Sequence, residues 1–372
     1  MPDDPAFASF FMAGFECSSH RRQDGLRLDL IHSTAHDRLA LADYRGCTAL
    51  GIRTIRDGLR WHLIETAPGA YDWSSWIPML EAAQEAGVEV MWDLFHYGSP
   101  DGLDQGSAEM VAAFARFAAE AARVHRSVTG KAILAIPINE ISFFTWAVRT
   151  GYFPPAGPDE HGWFKRHLVR ASIAAAQAMR EVDPGCHLFS AEPLINITAA
   201  SSGDDDARHR AEEVRLWQFE AVEMLLGLRE ASLGGAPGLI DAIGLNYYPD
   251  NQWVHGGSTL PLGHHDYRPL AEMLAEAAAR YAKPLFIAET GAEGSARPAW
   301  LHYVAQEVRE AMRGGVDLRG LCLYPVTAYP GWDNSRHAHV GLFTTPHSGG
   351  LRGVYAPLAE ELARQQALFA VA

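Results

Sequence analysis

Cysteine is scarce in this sequence. Cys17, Cys47, Cys186 and Cys322 are the four thiols in 372 residues, and no two of them form a CxxC pair. That spacing excludes a dense disulfide framework and the common zinc sites. Scattered thiols of this kind fit a reducing, cytoplasmic setting. Positive charge is also in deficit, with 31 Lys and Arg against 45 Asp and Glu and a formal net charge of −14. Phosphate binding needs a basic face, so nucleic acid is excluded as a natural partner, and so is an anionic membrane surface. Long apolar runs are missing: no stretch of 18 apolar residues exists to span a membrane. The opening segment MPDDPAFASFF carries two acids and no Lys or Arg, unlike a secretory leader. A Gly-rich phosphate turn, an internal repeat and a low-complexity linker are absent too.

What remains is a chain with 48% hydrophobic residues, enough to bury a large core. Short apolar runs alternate with amphipathic, alanine-rich stretches. Eight runs read as strands: 10–18, 54–61, 88–97, 132–140, 187–193, 241–249, 284–291 and 319–327. Helical periodicity fills 37–51, 74–87, 108–126 and 298–315 among others. Gly51, Gly87 and Gly314 stand where helices should stop, and Asp183-Pro184-Gly185 ends another. The run Gly203-Asp204-Asp205-Asp206 reads as a solvated loop before a helix. Strict strand–helix alternation predicts parallel strands with right-handed crossovers. The expected fold is a single (β/α)8 TIM barrel spanning residues 1–372. A doubly wound open sheet is the rival, and it usually carries a phosphate turn after its first strand.

Barrel enzymes place their chemistry where strands end. The fourth strand ends in Asn139-Glu140 and the seventh in Glu289. The third ends in His96-Tyr97, the sixth in Asn246-Tyr247-Tyr248, and the second carries Arg56, Arg60 and Trp61. Tyr324 lies in the eighth, with Trp332 and Asp333 in the loop that follows. Two carboxylates over one barrel mouth suit glycoside cleavage, in which one protonates the leaving oxygen and the other attacks the anomeric carbon. An arginine beside Glu289 would keep it negative, and that charge would hold Glu140 protonated at rest. Each residue alone has a plainer reading. Arg56 would be a structural ion-pair residue, His96 a core histidine, Trp61 core and Tyr248 barrel filling. Together they describe a barrel hydrolase or lyase with a polar, aromatic mouth. With alternating side chains, Asn139 and Glu140 cannot both face inward, so the strand must bulge or end at Asn139.

These segments resemble the family 1 glycoside hydrolases, the β-glucosidase group, along nearly the whole chain. AIPINE resembles the family's strand-4 motif, which implies Glu140 as acid/base with Asn139 beside it. PLFIAETG resembles the strand-7 motif, which implies Glu289 as nucleophile. DAIGLNYYP is similar to the strand-6 motif and implies that Tyr248 contacts the nucleophile. LFHYG implies a sugar hydroxyl contact for His96, with Tyr97 next to it. TIRDGLRW resembles the strand-2 motif, implying roles for Arg56 and Trp61, with Arg60 beside them a further candidate substrate contact, and Tyr324 stands where the family has a platform tryptophan. The sequence departs from the family at Thr290, where Asn is usual, and at Ile141, where Pro is usual. It departs again in the first strand, where Glu16 is the candidate sugar contact, and in the loop of Trp332 and Asp333.

The resemblance implies an exo-acting, retaining β-glycosidase with a carbohydrate substrate and no metal or cofactor. Trp61, Tyr97, Trp146, Tyr324 and Trp332 are the candidate stacking faces. Two alternatives stay open: a transglycosidase using the same glutamates, and a non-catalytic sugar-binding barrel. Seventeen histidines, including His264-His265 and His337/His339, invite a metal, but no HxxxH helix or acid cluster accompanies them.

Overall fold

All eight apolar segments enter one sheet. In the computed structural model, which describes residues 7–157, 162–200, 204–334, 336–347 and 350–370, they are β1 (Phe11–Gly14), β2 (Thr54–Gly58), β3 (Glu89–Phe95), β4 (Leu134–Ile138), β5 (His187–Pro193), β6 (Ala242–Asn246), β7 (Leu285–Thr290) and β8 (Leu318–Leu323). Met1–Ala6 of the opening segment and Gly203 of the acidic run lie outside the described residues. Every strand pairs in parallel with its chain neighbours, and β1 closes the ring on β8. The fold is a (β/α)8 TIM barrel, and the open-sheet rival is excluded by that closure. Among the described residues, no helix is long and apolar enough to cross a membrane. All four cysteines are free and buried.

The ring is surrounded by α1 (His36–Ala49), α2 (Ile77–Ala86), α3 (Ala108–Thr129), α4 (Ile141–Arg149), α5 (Trp163–Val182), α6 (Asp205–Leu216), α7 (Leu270–Tyr281), α8 (Arg297–Arg313) and α9 (Ala356–Phe369). Gly51 and Gly87 take the left-handed conformation expected after α1 and α2. Gly314 does not: its φ is −73°, and Gly315, at φ 91°, makes the left-handed turn after α8. Asp204 caps α6 by accepting from the Ala207 N–H. Most predicted strands run too far toward the mouth. Residues such as His96, Tyr97 and Tyr248 leave the ladder, because their side chains serve the mouth instead of the sheet, while Tyr247 leaves it to pack outward on Trp300.

Alternation divides each strand between two cores. Met12, Met91, Ile136, Phe189, Phe286 and Cys322 fill the barrel, and Phe7 plugs one end with ring centroids 5.3 Å from Phe189 and 5.2 Å from Phe286. Phe11, Ile55, Trp92 and Ile287 face the helices. On β2 this parity sends Arg56 inward and Asp57 outward. Asp57 meets a second buried charge cluster there. His36 of α1 is fully buried, with Nδ1 2.7 Å from Asp43 and Nε2 2.8 Å from Asp57. Tyr44 donates to Asp57 at 2.6 Å, and Arg352 reaches Asp43 at 2.7 Å from the C-terminal hairpin.

Burial works to lower the His36 pKa, but the two flanking carboxylates outweigh it and raise it to about 9. Folding therefore favours the protonated ring, and the stabilisation is complete below the ordinary value of about 6.5 and is lost as pH rises through about 9. Denaturant titrations of wild type and His36→Asn should differ most near pH 6. The gap should shrink by roughly 2–4 kcal/mol at pH 10. A gap that stays constant with pH would show that His36 is not held as a cation.

Candidate active site

Arg56 is the centre of the mouth. A guanidinium offers five N–H donors in a fixed fork, and here each one meets an acceptor. Nη1 donates to Glu289 Oε1 at 2.7 Å and to the Ala288 carbonyl at 3.1 Å. Nη2 donates to Asp93 Oδ2 at 2.8 Å and Asn139 Oδ1 at 2.7 Å, and Nε donates to Asp93 Oδ1 at 3.2 Å. Arg56 and Asp93 are fully buried, so this cation is held by β3, β4 and β7 at once.

Asp93 escaped the sequence reading, which looked only at strand ends. A signal was available: a carboxylate between Trp92 and Leu94, in step with the inward-facing Met91. Burial alone would raise its pKa, but Arg56 and His96 outweigh that and lower it. Asp93 Oδ2 also meets His96 Nδ1 at 2.9 Å, and Asn139 Nδ2 lies 3.1 Å from His96 Nε2. The imidazole tautomer with its proton on Nδ1 satisfies both neighbours.

The two glutamates reach the mouth by different backbone devices. On β7, Ala288 faces the barrel interior, so strict alternation would turn Glu289 outward. A register shift against β6 between Ile287 and Glu289 brings it in. On β4 the ladder ends at Ile138, and Asn139 makes one further bridge to Ala191. Glu140 then takes φ 45° and ψ 62°, a left-handed conformation costing about 1–2 kcal/mol for a residue with a Cβ. Of the two expected solutions for Asn139-Glu140, the chain uses the strand end; the irregular register lies on β7.

Tyr97 joins the two halves. Its hydroxyl accepts from Asn139 Nδ2 at 2.9 Å and donates to Glu140 Oε2 at 2.7 Å. Opposite, Tyr248 donates to Glu289 Oε2 at 2.8 Å. An unbroken hydrogen-bonded path thus runs Glu140–Tyr97–Asn139–Arg56–Glu289. Burial and the negative charge of Glu289 push the Glu140 pKa up to about 8, against the pull of the Tyr97 hydrogen bond.

The other expected residues divide. Tyr324 is buried under the cluster, with Arg56 5.2 Å from its ring centroid and its hydroxyl 3.8 Å from Cys17 Sγ. Glu16 is buried and accepts from the Ser18 N–H at 3.0 Å; burial raises its pKa, opposed chiefly by His96. Trp332 packs beside Tyr97 at 5.8 Å and His20 at 4.8 Å. Trp146 is exposed on α4 and stands 5.6 Å from Phe143, and Asp333 is exposed and accepts from Tyr152 at 2.7 Å. Two expectations are corrected. Trp61 is fully buried against Phe95, Phe114 and Phe117, with its indole N–H on Glu65, so it presents no face to a sugar. Arg60 is held by Asp29, Asp37 and the Ser75 carbonyl, a cluster separate from the glutamates.

A cleft with room for about 200 Å³ adjoins the mouth, lined by His20, Arg27, Tyr97, Gln105 and Phe153 among others. Neither glutamate lines it, and Tyr97 is the side chain it shares with the Glu140 cluster. Among the described residues two groups lie close enough to share a metal ion: Cys17, Asp93 and His96, and His264, His265 and Asp266. In the first, both Asp93 oxygens already serve Arg56, so a divalent cation would face a guanidinium. The second is a cluster on a loop. Asp93→Asn removes the carboxylate that compensates Arg56 and should lower stability by about 3–5 kcal/mol in urea denaturation at pH 7. An unchanged midpoint would show that the network is not what holds this end of the barrel.

No family model matches the chain, and no curated protein sequence does either. Solved structures do match in fold. The AHE enzyme from Alicyclobacillus herbarius is 17% identical, covers 97% of this chain and 99% of its own, and has a TM-score of 0.79. A family 1 β-glucosidase from Thermotoga maritima, in complex with isofagomine lactam, is 15% identical with 98% and 99% covered and a TM-score of 0.75. A mutant hyperthermophilic β-glucosidase is 18% identical with 97% and 100% covered and a TM-score of 0.74. The chain thus has the barrel fold of family 1 β-glucosidases over nearly its full length and theirs.

Proposed function

We propose that the protein is a retaining β-glycosidase with Glu289 as nucleophile and Glu140 as acid/base. The observation that carries this reading is the path Glu140–Tyr97–Asn139–Arg56–Glu289, which ties a protonated carboxyl and an arginine-bound carboxylate into one rigid mouth. In the first step Glu289 attacks the anomeric carbon as Glu140 gives its proton to the glycosidic oxygen. The glycosidic bond breaks and a glycosyl ester forms on Glu289. Esterification removes the negative charge that raised the Glu140 pKa. Glu140, now a carboxylate, takes a proton from water as the water oxygen attacks the same carbon and frees Glu289. Two inversions return the original configuration. Retention calls for carboxyl groups roughly 5–5.5 Å apart.

His96, Glu16 and Trp332 are the residues we assign to the sugar. His96 and Glu16 offer polar atoms and Trp332 offers aromatic surface, whereas the buried Tyr324 backs Arg56 and presents no platform face. The aromatic faces near Tyr97 suit a pocket that takes one terminal residue, an exo mode of action.

An activated 2-fluoro β-glycoside should add the mass of one glycosyl group to wild type, on the peptide carrying Glu289, and none to Glu289→Gln. No adduct across glycones of several configurations would reject the reading. The pH profile follows from the acid: Glu140 must hold its proton, so kcat/KM for a substrate with a poor leaving group should fall as pH rises through about 8. In Glu140→Ala that alkaline limb should vanish along with roughly 10²–10⁴-fold of the rate.

A further inference from the structure

Glu140 is at once the proposed acid/base and the N-cap residue of α4, and these two positions make competing demands. The opening N–H groups of a helix have no acceptor within it and are commonly satisfied by the side chain of the cap residue. Here the cap residue is Glu140, and its carboxyl makes no cap hydrogen bond because it is turned to Tyr97. The N–H groups of Ile141 and Ser142 must find another acceptor. Proline at the first helical position would bring no N–H, whereas Ile141 brings one.

Glu192, on β5, supplies that acceptor. Its Oε1 accepts from the Ile141 N–H at 2.6 Å and its Oε2 from the Ser142 N–H at 3.0 Å. The neighbouring Ala191 carbonyl accepts from the Glu140 N–H at 2.8 Å. Three successive N–H groups are thereby fastened to two successive residues of the adjacent strand. This is the segment in which Glu140 holds its left-handed backbone. A negative side chain at a helix N-terminus is also favoured by the helix dipole. Glu192 is 1% exposed, so its carboxyl is held within the protein and not shared with bulk solvent.

We infer that Glu192 is the positioning residue of the acid/base, its carboxylate capping α4 in place of Glu140 and so fixing the turn that aims the Glu140 carboxyl at the leaving group. The inference rests on the reading of Glu140 as the proton donor. Burial raises the Glu192 pKa to about 7, opposed by its Ser142 and Ile141 hydrogen bonds and by Lys165 of α5. Glu140 and Tyr281, the last residue of α7, are the other titratable groups that sense its charge.

The test separates aim from fold. Wild type, Glu192→Gln and Glu192→Asp are compared on two aryl β-glycosides, a phenyl glycoside that needs proton donation and a 2,4-dinitrophenyl glycoside whose leaving group departs without it. Glu192→Gln keeps one acceptor and loses the charge. It should cost about 10²-fold in kcat/KM on the phenyl glycoside, while kcat/KM on the dinitrophenyl glycoside, which reports the first step alone, stays within about threefold. Glu192→Asp should lose less, in the same direction. Equal losses on both substrates, or none on either, would overturn the proposal. Carboxyl carbon NMR gives a readout that needs no turnover: the Glu140 titration should move to lower pH in Glu192→Gln. If wild type cleaves neither glycoside, the proposed function fails, and an unmoved Glu140 titration still rejects the role of Glu192.

Discussion

The mouth of this barrel is organised by one buried cation. Arg56 spends all its donors on groups from three other strands: Asp93 on β3, Asn139 at the end of β4, and Ala288 and Glu289 on β7. A guanidinium removed from water must be matched by charge and by hydrogen bonds together, and a partial match would destabilise the fold. The match therefore fixes geometry. Asn139 can serve Arg56 through its oxygen only if its nitrogen faces Tyr97, and Tyr97 can accept from Asn139 only if its proton points to Glu140. Position propagates from a buried ion pair to the Glu140 carboxyl through hydrogen bonds alone.

The same arrangement sets the charge states. Glu289 has Arg56 and Tyr248 as donors on its oxygens, while the Glu140 carboxyl meets the Tyr97 hydroxyl and the negative charge of Glu289. Two residues of one type thus acquire opposite surroundings, as the proposed roles require. Backbone irregularity is the cost of bringing them there. A perfectly alternating strand cannot deliver Glu289 inward after Ala288, nor Glu140 inward after Asn139, so β7 shifts register and β4 stops. Strain at such a site persists where the surroundings hold it, and the bonds from Glu192 to α4 do that for Glu140.

The legible parts of the sequence were those with a period. Apolar runs of strand length alternating with amphipathic stretches gave eight strands and the order of the barrel. The place of Arg56 on β2 and the strand-end places of Glu140 and Glu289 followed from the same pattern. Asp93 and Glu192 were not singled out, although both interrupt apolar strands, because a buried carboxylate has meaning only when its partner is known. Asp93 needs Arg56 of β2, and Glu192 needs the N–H groups of α4. Trp61 was misread for the converse reason. An aromatic residue near a strand end looks the same in sequence whether it faces the mouth or the helices, and here it packs against Phe114 and Phe117 of α3.

The sequence by itself determined the barrel, its strand order and the two glutamates at its rim, because hydrophobic periodicity and strand–helix alternation are local properties of the chain. Tertiary structure alone decided which side chains meet: the five-way contact of Arg56, the left-handed turn at Glu140, the register shift beside Glu289 and the cap from Glu192. These features depend on contacts between distant segments, and such a contact leaves no periodic trace in the order of the amino acids.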